Sequence, residues 1–175
     1  MEILTTPRLV IRPFSARDGE GLYAIMSDEE TVKYEPYSVF SREEAYAEAE
    51  RRETDPAFRA VCLPDGTLIG TLFFAPGEFQ SAELGYVFRR GIWGNGYASE
   101  AARAVLSDAF RNTGLHRCTA MCDPENVRSV RLLERIGMRR EGLLRKNLYF
   151  FTRPDGEPIW QDTCIYAVLR EEFKE

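Results

Sequence analysis

Histidine is almost missing from this chain: one residue, His116, in 175. A single imidazole gives no zinc cluster of the usual His/Cys kind, and His116 carries no assigned role. Cysteine is scarce as well. Cys62, Cys118, Cys122 and Cys164 are scattered apart from one pair, and no disulfide framework is spelled out. The Cys118/Cys122 spacing in a β-like run puts both side chains on one face, as small buried hydrophobes. Reduced, structural cysteines predict a cytoplasmic protein. No apolar run approaches the roughly 20 residues of a membrane helix, and the opening Met1–Arg8 lacks the apolar core of a secretory leader. A basic excess is absent too. The net charge of −5 argues against general nucleic-acid binding and favours the approach of a cationic substrate. The chain has no Gly-Lys-Ser/Thr after its glycine-rich stretch, which excludes a P-loop nucleotide site.

What is present is an ordinary globular composition, 44% hydrophobic and 29% charged, with no repeat, linker or low-complexity stretch. A chain of this length buries about 70% of its unfolded surface. One domain over 1–175 is expected. Residues 3–13 read as a strand broken at Thr6-Pro7. Ser15 then caps a helix with Asp18 as its capping acid, and Leu22, Tyr23, Ile25 and Met26 form the apolar stripe. After a polar link through Pro36, Ser41-Arg42-Glu43-Glu44 is a capping box for a helix over about 41–54. Its apolar face is only Ala45, Tyr46 and Ala49, which predicts a loosely docked, solvated helix over a binding site.

From Ala57 the period changes to that of strands. Phe58–Leu63 and Thr67–Ala75 form a hairpin across Asp65-Gly66, and Gln80–Phe88 is a third antiparallel strand. A later helix shows Ala98, Ala101, Ala102, Val105, Leu106, Ala109 and Phe110 on one face and stops at Gly114. Leu115–Cys122 is a short strand. Pro124 suits the first turn of the next helix, which buries Val130, Leu132, Leu133 and Ile136 and ends at Gly137. Leu143–Thr152 and Ile159–Leu169 close the chain as a hairpin. The fold class is α+β, a mixed, mostly antiparallel sheet of about seven strands flanked by about four helices.

Gly91, Gly94 and Gly96 crowd the loop between the third hairpin strand and the alanine-striped helix. Such a loop lets backbone approach a ligand closely, and the helix behind it offers unpaired N–H groups and a positive dipole end. Two uses fit: a cradle for cofactor phosphates, or a tight strand-to-helix turn.

Two motifs decide between them. Glu83-Leu84-Gly85-Tyr86 followed by Trp93-Gly94-Asn95-Gly96-Tyr97-Ala98-Ser99-Glu100-Ala101 resembles the acetyl-CoA loop of the GNAT N-acetyltransferases, closest to the RimJ/RimL type that acetylates ribosomal-protein N-termini. Asp123 to Met138 resembles that family's pantetheine-side helix, with Asn126, Ser129 and Gly137 in the pattern. The likeness extends from Thr6–Arg12 at the start to Asp162–Arg170 at the end. It implies a GNAT fold and an acetyl-CoA co-substrate without a metal. It also implies an amine-bearing acceptor, a protein or peptide N-terminus first and a small amine such as a polyamine, aminoglycoside or amino-acid derivative second. No nucleic acid or membrane partner is implied, and dimers are common in that branch. A CoA-binding regulatory module on the same fold is the reading from another class.

The resemblance also implies roles. Backbone N–H groups of Gly94, Asn95, Gly96, Tyr97, Ala98 and Ser99 would hold the pyrophosphate. The strand near Tyr86-Val87-Phe88 would splay from its neighbour and bond the pantetheine amides. Asn126 and Ser129 would lie along the pantetheine arm. Trp93 stands where the loop pattern more often has Gln or Arg, as in the RimJ/RimL-like branch. Arg89, Arg90, Arg128 and Arg131 are either phosphate partners or solvated surface charges. Many members place a tyrosine where this chain has Leu133, so the proton for the leaving thiolate must come from Ser129, Tyr166 or water. Glu83, a carboxylate in an apolar strand, is either the general base, directly or through water, or an outward-facing residue on a wet sheet face. Glu100, in the first turn of the loop's helix, is expected to stabilise that helix end.

Overall fold

The computed structural model describes residues 3–174. Pro7 interrupts the opening extended segment, and two short antiparallel strands result, β1 (Leu4–Thr5) and β2 (Val10–Pro13). Ser15 caps a 3-10 turn that runs into α1 (Gly19–Met26). The Asp18 carboxylate closes the capping box on the Ser15 N–H at 2.8 Å and takes the Arg12 guanidinium in two bonds of 2.7 and 2.8 Å. That fork ties β2 to the start of the helical layer. A one-turn helix, α2 (Glu29–Val32), follows with Asp28 as its cap; four residues leave no periodic trace in the sequence.

α3 (Arg42–Glu53) keeps the expected capping box of Ser41 and Glu44, but it is not loosely docked. Ala45 and Ala49 are fully buried, and the Tyr46 ring fills the space where a Cβ on Gly19 would stand. Arg52, read from the sequence as a polar position, is also buried. Its guanidinium bonds Glu48 at 2.7 Å and Thr71 at 3.1 Å and lies 4.4 Å from the Phe58 ring centroid. An arginine stem packed on aromatic faces replaces the missing apolar stripe.

The strands β3 (Phe58–Cys62), β4 (Leu68–Pro76) and β5 (Ser81–Phe88) pair antiparallel in sequence order. The helix α4 (Tyr97–Asn112) then crosses over, and β6 (Arg117–Cys122) returns parallel to β5. After α5 (Val127–Arg135), β7 (Arg139–Leu148) and β8 (Gln161–Leu169) complete one eight-stranded sheet of order β1-β2-β3-β4-β5-β6-β8-β7. The strand beyond the expected seven comes from the break at Pro7, and α2 is the fifth helix. Several boundaries moved. α5 starts at Val127 rather than near Pro124, because Asp123 Oδ1 takes the Glu125 N–H at 2.7 Å in a turn and Asn126 becomes the cap. β7 begins at Arg139, four residues before the expected Leu143, because this edge strand is solvated along most of its length and shows no apolar alternation. Residues 149–160 form a loop, with one bridge between Thr152 and Pro158.

Alternation along the central strands sends successive residues to two cores. Val61 joins Ile69, Leu72, Leu84 and the buried stripe of α4, whereas Ala60 and Cys62 join Leu22, Ile25 and Met26 of α1 on the other face. Each fully buried Leu, Ile or Val in these layers contributes about 1.5–3 kcal/mol.

Candidate active site

The site is made where two neighbouring strands part company. β5 and β6 pair only through Ser81, Glu83 and the residues between, against Arg117 to Thr119. Beyond that point β5 continues on β4 as far as Phe88, while β6 continues on β8 as far as Cys122. The resulting fork frees one backbone edge of β5 from Leu84 onward.

On one side of the fork lies a cavity of about 530 Å³ built by the glycine loop, the start of α4 and α5. Gly94 and Gly96 adopt φ of 83° and 80°, the left-handed region that glycine enters without strain. Gly96 thereby ends the loop as the cap of α4 with no side-chain cap of its own. The first intrahelical bond runs from the Glu100 N–H to the Gly96 carbonyl, at 3.0 Å, so the amides of Tyr97, Ala98 and Ser99 lack helical partners, and these three residues line the cavity. Trp93 fixes the other end of the loop: its indole N–H donates to the Phe88 carbonyl at 2.7 Å, and the Arg128 guanidinium lies 4.3 Å over its ring. Arg128, Arg131 and Arg135 stand at i, i+3 and i+7 on α5 and line the same cavity. Arg135 escaped the sequence reading, although that spacing was there to find it.

Glu100 serves as a latch at this helix end. Its carboxylate accepts from Thr6 Oγ1 at 2.6 Å and from Arg8 Nε at 2.6 Å, and Arg8 also donates to the Asn95 carbonyl at 2.9 Å. These bonds outweigh the opposing effect of burial, and the Glu100 pKa falls below its ordinary value.

On the other side of the fork lies a second cavity of about 590 Å³, open toward β8 and the aromatic loop after β7. Glu83 lines it from the fork's apex, exposed to solvent rather than enclosed by apolar neighbours. Glu48, Arg51 and Arg52 of α3 line the same cavity, as do Asp123 and Asp162. Cys122 also lines this cavity, and burial pushes its thiol up to about 11, so the sulfur stays protonated at neutral pH.

The two cavities share six wall residues: Tyr34, Glu35, Tyr86, Val87, Asn126 and Ser129. Asn126 Oδ1 accepts the Ser129 N–H at 3.2 Å and so fixes the first turn of α5. The Ser129 hydroxyl lies 2.7 Å from the Tyr86 hydroxyl, and burial raises the Tyr86 pKa well above its ordinary value. Glu35 was not read from the sequence at all, because it sits in a short connection without period or motif. Burial raises its carboxyl to about 7, against the opposing influence of the Tyr37 hydroxyl and Arg52.

Most of the residues singled out from the sequence are brought together. Tyr86, Val87, Phe88, Trp93, Gly94, Gly96, Tyr97, Ala98, Ser99, Asn126, Arg128, Ser129 and Arg131 all line the loop-side cavity. Three are not. Arg89 lies outside both cavities; its N–H bonds the Ile69 carbonyl at 2.9 Å and its side chain is exposed. Asn95 turns its amide back to the Ile92 carbonyl at 3.0 Å and closes the loop instead of facing the cavity. Tyr166 is buried under the sheet, with its hydroxyl toward Glu134 at 3.4 Å, and reaches neither cavity. Arg90 faces Asp28 at 3.7 Å. Leu133 is in the core, where no proton can come from it.

A forked sheet, a left-handed glycine at a helix N-terminus and an arginine face together define an acyltransferase of the GNAT type. The family model for the acetyltransferase (GNAT) domain matches residues 8–139, and the chain belongs to that family. It is 40% identical to an N-acetyltransferase of Bacillus subtilis, YnaD, described as uncharacterized, across 97% of this chain and 98% of that one. A solved GNAT-family acetyltransferase from Bacillus anthracis superposes with a TM-score of 0.87 at 36% identity, over 97% of this chain and 99% of that chain. A shorter likeness, 31% identity over 97 residues, links it to the [ribosomal protein uS5]-alanine N-acetyltransferase of Escherichia coli, across 55% of this chain and 47% of that protein. The protein is therefore a GNAT N-acetyltransferase.

Proposed function

We propose that this single-domain enzyme moves an acetyl group from acetyl-CoA to a primary amine, with the protein or peptide α-amine of the RimJ/RimL-like branch as its acceptor. The observation that carries the reading is the shared wall at the fork, where a cavity fitted for a phosphorylated cofactor meets a cavity rich in carboxylates. The first cavity suits CoA: unpaired amides at Tyr97, Ala98 and Ser99 and the arginines 128, 131 and 135 match an anionic diphosphate. The open edge of β5 at Tyr86 to Phe88 would receive the amides of the pantetheine arm. Acetyl-CoA, when bound, supplies the activated acyl thioester.

The chain's own residues then hold the acceptor and move its protons. Glu35, Glu48, Glu83, Asp123 and Asp162 outnumber Arg51 and Arg52 around the second cavity, which draws in an ammonium. The acceptor's proton leaves the cavity by way of Glu83, and Ser129, bonded to Tyr86, protonates the sulfur. The loop after β7 contributes Phe150 to the wall and carries the exposed Tyr149, Phe151 and Trp160, an aromatic surface suited to a peptide chain. A small amine would use the same carboxylates and leave that aromatic surface unused. Among the described residues no helix is long and apolar enough to cross a membrane, and a cytoplasmic enzyme, alone or as a homodimer, is in keeping with its free cysteines.

The test is to incubate the protein with acetyl-CoA and a panel of peptides and small amines and to measure released thiol. Peptides with free α-amines should release thiol fastest. Acetylation confined to polyamines or aminoglycosides would replace the acceptor, and absence of acetyl-CoA binding would overturn the reading as a whole.

A further inference from the structure

The connection between α2 and α3 does more than join two helices. It runs over the fork as a strap held at both ends. Tyr34 donates its hydroxyl to the Glu125 carbonyl at 3.3 Å, reaching the turn before α5, and the Glu35 N–H bonds back to the Val32 carbonyl at 2.9 Å. The Tyr37 ring packs against Phe40, with centroids 5.1 Å apart, on the α1–α3 side. Between these anchors the Glu35 side chain meets the Tyr37 hydroxyl at 3.4 Å and lines both cavities. Glu83, by contrast, lines only the acceptor cavity and is exposed.

We infer that Glu35 is the carboxylate that takes the proton from the acceptor amine, with Glu83 passing that proton onward to solvent. The inference rests on the acetyl-transfer reading above and assigns within it a residue that no family motif marks. The groups facing Glu35 are Tyr37 on its own strap, Arg52 from α3 and Tyr86 from β5; Glu48, Glu83, Asp123 and Asp162 are further round the acceptor wall. The acceptor enters as an ammonium and loses one proton to Glu35. The freed nitrogen pair forms the C–N bond while the C–S bond breaks and sulfur keeps its electrons. The excess proton on the new amide nitrogen passes through Ser129 to the sulfur, which leaves as a thiol. Glu35 returns its proton to solvent by way of Glu83. One ammonium and one thioester thus give one amide, one thiol and one proton. A base whose pKa lies near the working pH does this best, and burial has put Glu35 at about 7.

Glu35→Gln, Glu83→Gln and Tyr37→Phe should be compared with the parent enzyme by thiol release across pH 5.5 to 9.5, with acetyl-CoA binding measured by calorimetry. Glu35→Gln should lower kcat at least about 100-fold at neutral pH, within the usual range for a lost general base, and abolish the acidic limb of kcat/KM. Its acetyl-CoA affinity should stay within about threefold. Tyr37→Phe should remain active with its acidic limb displaced to higher pH, because the Tyr37 hydroxyl holds the carboxyl down. A purely structural strap would not move that limb. Glu83→Gln should keep the limb in place at reduced turnover. An active parent enzyme with an unaltered limb in Glu35→Gln would overturn the assignment alone, as would a limb that vanishes only in Glu83→Gln. A parent enzyme that binds acetyl-CoA but acetylates no amine would sink the functional reading and this assignment with it.

Discussion

If Glu35 is as enclosed as its position in the strap implies, removing its charge should make the protein more stable, and the gain should depend on pH in a calculable way. The folded pKa is raised from 4.5 to about 7, and desolvation is the main cause. Below about pH 4.5 the carboxyl is neutral in both folded and unfolded chains and contributes no difference. Between the two values the unfolded chain releases the proton while the folded one keeps it, so folding loses stability at about 1.4 kcal/mol per pH unit. Above the folded value the loss levels off. Glutamine, neutral throughout, escapes it. Glu35→Gln should therefore gain about 1 kcal/mol at pH 5 and about 3 kcal/mol at pH 8.5 relative to the parent. For a chain of this size the alkaline gain corresponds to a Tm higher by about 6–12 °C. Urea unfolding of both proteins at the two pH values measures the difference directly, and titrations elsewhere cancel between parent and variant. An equal effect at both pH values, or a less stable variant at pH 8.5, would refute the claim that burial governs this carboxyl. Together with lost turnover, the gain would mark Glu35 as a group kept for chemistry at the expense of stability.

Gly96→Asp should weaken CoA binding at least about tenfold by placing a carboxylate beside the phosphate amides, with Gly96→Ala separating charge from the strain of φ 80°, about 1–2 kcal/mol for a residue with a Cβ; unchanged calorimetric affinity in both would contradict the cradle. Glu100→Gln should cost about 1.5–3 kcal/mol at pH 7 by weakening the charged bonds to Thr6 and Arg8. Because the Glu100 pKa is depressed in the fold, that difference should be present above the unfolded value of 4.5 and fade as pH falls through the folded one. Ser129→Ala should reduce kcat while leaving acetyl-CoA affinity nearly intact, and Tyr86→Phe should reduce it less; a normal kcat in Ser129→Ala would remove the hydroxyl from the proton path. Arg128→Ala combined with Arg131→Ala should flatten the salt dependence of CoA binding, and an unaltered slope would assign both arginines to solvent.

The loop-side half of the site, proposed to hold the donor, was legible because backbone conformation dictates it. Gly94 and Gly96 are glycines because φ near +80° excludes most other residues, and the stripe from Ala98 to Phe110 has to face the sheet. The other half, proposed to hold the acceptor, was less legible because side chains from separate elements compose it. Glu35 sits in a connection with no period, and nothing local says that α3 and β5 will enclose it. Arg52 looks solvated until Phe58, Glu48 and Thr71 are seen around it. The Tyr86 and Ser129 hydroxyls are 43 residues apart, and only the fork between β5 and β6 brings them to 2.7 Å. The aromatic run after β7 reads as strand because Tyr149, Phe150 and Phe151 favour strands, yet an edge without a further partner leaves it as loop.

This division has a chemical consequence. A site held by backbone amides at a helix N-terminus tolerates changes in neighbouring side chains, so the donor cavity can stay fixed while the acceptor cavity varies. The parts around the second cavity are the strap from Lys33 to Tyr37, the α3 face with Glu48, Arg51 and Arg52, and the loop of residues 149–160, and each lies on a connection or outer layer rather than in the central strands. Glu35 is where the two regimes meet. It belongs to a connection rather than to a core element, yet it lines both cavities. Its proton affinity depends on how deeply the strap is packed and on what α3 presents behind it. The proposed base should therefore respond to residues outside the loop-side cavity: a looser strap lowers the pKa of the carboxyl by admitting water, and loss of Arg52 raises it. With Glu35 as the proposed base, changes in the strap or in the α3 face should shift acceptor preference and the acidic limb of the pH profile together.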